Sequence, residues 1–87
     1  MDAFLAAWDR LPRGNFDGLY KGRRYAVTRT ERAGGRQGWI WAEELGGRGR
    51  ISANLYRLAS GPQLNPCEMP HETVIDFVTK VRVIDKV

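Results

Sequence analysis

One cysteine, Cys67, and one histidine, His71, are all that this chain of 87 residues has of either type. A lone cysteine excludes an internal disulfide, so the fold has to be held by its apolar core. The two residues also make a poor metal site. They stand four apart, but Pro66 and Pro70 spoil a continuous helix, and zinc needs two further ligands of the right type. Neither a metal nor a cofactor is expected. His71 is the only imidazole able to activate Cys67 as a nucleophile, yet Glu68 and Glu72 beside them favour the protonated thiol. Cys67 stands as the one candidate for a reactive thiol. Glu43 and Glu44 are adjacent on a strand and point to opposite faces, which excludes an acid/base pair. Gly46-Gly47-Arg48-Gly49-Arg50 lacks the Gly-Lys-Ser/Thr ending of a phosphate loop and precedes a strand, so it reads as a hairpin turn. With no catalytic constellation, a non-enzyme is expected. Long apolar runs are missing too: none approaches the roughly 20 residues that cross a bilayer. The N-terminal stretch has no basic region followed by an apolar one and a small-residue cleavage site. These two absences predict a cytoplasmic protein without membrane contact.

What is present describes an ordinary folded chain: 43% hydrophobic and 28% charged residues, enough for a single domain over 1–87. The net charge is +4, and it is uneven. Residues 21–57 carry Lys21, Arg23, Arg24, Arg29, Arg32, Arg36, Arg48, Arg50 and Arg57 against Glu31, Glu43 and Glu44. Arginine suits bidentate contact with phosphate or carboxylate. The excess is either a solvated sheet face or the footprint of an anionic partner, nucleic acid or an acidic protein.

Phe4, Leu5, Trp8 and Leu11 have helical spacing behind Asp2 as a cap, and Pro12 and Gly14 end that short helix. Phe16 to Tyr20 is a short extended piece, Lys21-Gly22 a turn, and Arg23 to Arg32 a strand with Tyr25 and Val27 on one side and Ala26, Thr28 and Thr30 on the other. After Ala33-Gly34-Gly35, residues 36–58 read as one β-hairpin about the glycine-rich turn. On its first arm Trp39, Trp41, Glu43 and Leu45 oppose Gly38, Ile40, Ala42 and Glu44. On the second, Ile51, Ala53, Leu55 and Arg57 oppose Ser52, Asn54, Tyr56 and Leu58. Ala59 to Pro70, with four prolines and glycines, reads as irregular. Val74, Phe77, Val78 and Val81 then give a longer helix from Pro70, with an alternating tail at Val81–Ile84 that is able to turn extended. The expected fold is α+β: a three- to four-stranded antiparallel meander with a short N-terminal and a longer C-terminal helix, the helices on both sides of the sheet or both on one. A monomer or weak dimer is expected.

Two roles are open to Trp39 and Trp41. As large aromatics in a small chain they are candidates for the core. If they face outward, about 7 Å apart, they stack bases, flanked by arginines. The candidate nucleic-acid or anion site is therefore Arg23, Arg24, Arg36, Arg48, Arg50 and Arg57 with Trp39 and Trp41. A helix, three strands and a helix is also the order of double-stranded RNA-binding domains. Their basic cluster at the last helix start is replaced here by Pro70-His71-Glu72-Thr73. The alternatives to nucleic-acid binding are a non-catalytic binding domain using the basic sheet or the 65–70 loop, and redox activity at Cys67.

Gly22-Arg23-Arg24-Tyr25, Glu44-Leu45-Gly46-Gly47, Asn54-Leu55-Tyr56-Arg57-Leu58 and Pro66-Cys67-Glu68-Met69-Pro70 together resemble a pattern in a group of short bacterial proteins, over about residues 18–80. Some of that group carry the label peptide methionine sulfoxide reductase. The A-type reductases share Gly-Cys-Phe-Trp, whereas Cys67 stands in Pro-Cys-Glu and has no second cysteine to resolve an oxidised intermediate. The resemblance implies a family and not that activity.

Overall fold

Two-residue alternation sets the faces of the central strands, and the burial of every second residue follows it. A computed structural model describes residues 1–86. In chain order it has α1 (Asp2–Arg10), β1 (Gly14–Tyr20), β2 (Arg23–Arg32), a 3₁₀ turn (Ala33–Gly35), β3 (Gln37–Glu44), β4 (Arg50–Leu58), β5 (Gly61–Pro66), α2 (His71–Lys80) and β6 (Arg82–Lys86). The six strands form one sheet in the order β5-β4-β3-β2-β1-β6, antiparallel throughout. β1 to β5 are a meander. α2 then carries the chain from one edge of the sheet to the other, where β6 pairs with β1.

Both helices lie on one face. Phe4, Ala7, Trp8 and Leu11 from the N-terminal segment and Val74, Phe77 and Val78 from α2 join a single core with Phe16, Tyr25, Val27, Ile40, Ala42, Ile51, Ala53, Leu55 and Leu64 from the strands. The covered face has small residues where the helices press closest. A Cβ added at Gly38 would stand 2.7 Å from the Trp8 ring, so only glycine admits the indole here. Tyr20, Tyr25 and Phe77 meet edge to face, with ring centres 4.9–5.9 Å apart, and fix α2 against β1 and β2. The β1–β2 turn is Lys21-Gly22 with φ of 52° and 74°, the pairing whose twist suits a two-residue hairpin.

The architecture is α+β, but the expected strand count was too low: there are six among the described residues. Residues 61–66, expected to be irregular, form β5. Proline removes a ladder donor, and an edge strand tolerates that loss, so Pro62 and Pro66 fit there. The alternating tail does turn extended and becomes β6. Asp2 sits in the first turn of α1 and makes no capping bond; Met1 is the cap residue. The C-terminal helix is hardly the longer one, ten residues against nine. No helix among the described residues is long and apolar enough to cross a membrane.

Candidate nucleic-acid interface

With both helices on one side, the other face of the sheet carries no covering element among the described residues. Registry arranges its side chains in rows across three strands. Arg32, Gln37 and Tyr56 form one row; Thr30, Trp39 and Asn54 the next; Thr28, Trp41 and Ser52 the third; Ala26, Glu43 and Arg50 the fourth. Asn15 of β1 continues the third row, and Gln63 and Asn65 of β5 extend the first two. The two central rows hold hydroxyls, carboxamides and tryptophans and no charge.

Trp39 and Trp41 are half-buried on this face, with nearly parallel rings 15° apart in plane and 6.4 Å between centres. Of the two roles open to them, the core is the one this placement removes. Ile40 and Ala42, between and beside them, are the residues fully buried. The Trp41 indole N–H donates to Glu43 at 3.2 Å, and the Arg50 guanidinium lies 5.8 Å from the Trp41 ring centre. A cation over an indole is attracted to its ring face.

The six candidate arginines do not gather. Arg24 is on the open face but donates to Asp17 at 2.9 and 3.1 Å and reaches Asp85 at 3.8 Å. Arg23 pairs with Glu44 at 2.8 Å, which holds its guanidinium more firmly charged. Arg57 belongs to the helix side and pairs with Asp9 of α1 at 2.6 Å. Arg36 donates to the Ala33 carbonyl beside the 3₁₀ turn. Arg48 and Arg50 stand exposed at the β3–β4 turn and share a cavity of about 350 Å³ with Glu43 and Glu44. Of the predicted set, Arg50, Trp39 and Trp41 therefore come together, with Arg48 beside them. Sequence reasoning missed Arg32, Thr30, Gln37 and Asn54. The period-two pattern that put Trp39 and Tyr56 on chosen faces carries the same information for these four.

Cys67 is exposed in the loop after β5, where its amide donates to the Ser52 carbonyl at 2.9 Å. His71 is exposed at the start of α2. No group of three metal-ligating side chains occurs among the described residues. Comparison with protein-family models, with curated proteins and with solved structures finds no match to this chain.

Proposed function

We propose that the protein is a non-catalytic binding module whose working surface is the open face of the sheet, and that single-stranded nucleic acid is the partner this face fits. The observation that carries the reading is the parallel pair Trp39 and Trp41 on the helix-free side. Unpaired bases stack on such rings regardless of sequence, and the neutral hydroxyl and amide groups around them suit polar base edges. Cations without an ion pair among the described residues lie at both ends of the tryptophan row: Arg32 and Arg36 near one, Arg48 and Arg50 near the other. Six residue steps along β3, from Gln37 to Glu43, separate the outer rows, about 20 Å at strand rise, room for a short run of extended strand.

Trp8 is fully buried, so a change in tryptophan fluorescence on binding reports Trp39 and Trp41. Titration with single-stranded oligonucleotides at low salt is expected to quench it. Trp39→Ala and Trp41→Ala should each weaken binding about 5- to 150-fold, the worth of one stacked base. No quenching at low salt would overturn the proposal. Quenching by polyglutamate but not by oligonucleotides would transfer the surface to an acidic protein partner.

A further inference from the structure

The first two rows of the open face border a shallow, open cavity of about 390 Å³, lined by Thr30, Arg32, Gln37, Trp39, Asn54 and Tyr56. Glu31 also borders it, with its carboxylate held by Arg13 at 2.9 Å and by Arg29 at 3.1 Å. Elsewhere on this face three polar pairs are committed to one another, while the Ser52 hydroxyl makes no side-chain hydrogen bond among the described residues. Thr28 donates to Asn15 at 2.7 Å, Gln63 to Asn65 at 3.2 Å and Trp41 to Glu43 at 3.2 Å. Inside the cavity, Thr30, Gln37, Asn54 and Tyr56 make no side-chain hydrogen bond among the described residues, although they are as closely spaced. Two carboxamides, each a donor and an acceptor, thus stand free beside two aromatic rings and one guanidinium.

We infer that this cavity is an adenine subsite, with Asn54 and Gln37 on the base edge, Trp39 and Tyr56 against the base and Arg32 toward its phosphate. The inference rests on the proposed single-strand reading of the open face. A carboxamide matches the adjacent acceptor and donor of adenine, N7 and the N6 amino group, in a bidentate pair. Ring stacking adds affinity without choosing among bases, so the amides supply the choice. The guanidinium takes a phosphate oxygen by a charge-assisted bond. The same chemistry serves an adenine within a strand and a free adenine nucleotide.

The test is a fluorescence titration at fixed low salt with adenine-only and thymine-only deoxyoligonucleotides and with AMP. Wild type and the Asn54→Ala and Gln37→Ala variants are compared, each checked for an unchanged circular dichroism spectrum. The adenine strand should bind about 5- to 150-fold tighter than the thymine strand, the discrimination of one good bidentate pair. Each variant should lose that preference, its affinity for the adenine strand falling by more than its affinity for the thymine strand. Equal affinity of wild type for the two strands overturns the subsite and leaves the open-face reading standing. Binding of AMP without either strand keeps the subsite and overturns the strand reading. Silence from all three probes overturns both.

Discussion

Arg29 counts toward the basic excess of residues 21–57, yet it is only 3% exposed and meets no solvent-borne partner. Its Nε and Nη2 both donate to the Leu11 carbonyl, at 3.1 and 2.7 Å, and its guanidinium lies 5.8 Å from the Trp8 ring centre. It is therefore a clasp between the end of α1 and the sheet, balanced by Glu31. Arg29→Met keeps the apolar stem but removes the bonds to Leu11 and the charge facing Glu31. The expected loss is about 2 kcal/mol, the worth of a charge-assisted hydrogen bond to the Leu11 carbonyl, since Arg13 still pairs with Glu31. A urea midpoint shift at unchanged slope measures it, and a shift worth under about 0.5 kcal/mol would refute the clasp. Composition does not separate this arginine from Arg48 or Arg50, because burial depends on which face the helices choose. That choice was also illegible for the tryptophans. Both faces of β3 are apolar, Trp39 and Trp41 on one and Ile40 and Ala42 on the other. The helices bring Phe4, Trp8 and Phe77 to the face lined by Gly38, Ala42 and Ala53, where there is volume for them; over the tryptophans that bulk would overfill the layer.

Between elements, α2 is tied to the hairpin β1–β2 through Tyr20. The Tyr20 hydroxyl donates to Asp76, which also accepts from Lys80 at 2.6 Å. The Lys80 bond first, and the Tyr20 bond second, hold the Asp76 carboxyl below its ordinary value. That contribution is present above the ordinary carboxylate range and is lost as pH falls through the lowered value. Burial first, and the neighbouring Asp76 carboxylate second, push the Tyr20 phenol up to about 12. An unfolded tyrosine ionises near pH 10. The folded chain keeps Tyr20 neutral longer, so its stabilisation is complete below about pH 10 and is lost between there and pH 12. Tyr25 is raised as well, so wild type is compared with Tyr20→Phe rather than judged alone. The variant should lose less of its thermal stability across pH 10–12; equal losses in the two proteins would remove Tyr20 from the account. The alternating patterns of β2, β3 and β4 and the apolar faces of both helices were legible as local periodicity. β5 was hidden by its prolines, and the pairing of β6 with β1 by the separation of the partners along the chain. No local pattern encodes a contact between Gly18 and Val83.

For the molecule as a whole, the net charge of +4 overstates what a polyanion meets. Lys21, Arg23, Arg24, Arg29 and Arg57 are engaged by carboxylates, which leaves Arg32, Arg36, Arg48, Arg50 and, on β6 opposite Leu19, Arg82 for phosphates on or beside the open face. At about 0.7 counterions per phosphate of a single strand, five contacts predict a log–log salt slope no steeper than about −3.5. Oligonucleotide titrations over a range of salt read the slope directly. A clearly steeper value would mean that paired arginines release their carboxylates to the strand, contrary to the division drawn here. The crossover of α2 from one sheet edge to the other has a further effect, on the order of events during synthesis. α1 leaves the ribosome before the strands, but the surface its Trp8 rests on includes Gly38, and α2 follows only after all five meander strands. β1 waits longer still, since the strand that covers its outer edge is β6. A nascent chain therefore exposes the outer edge of β1 unpaired until β6 has been made.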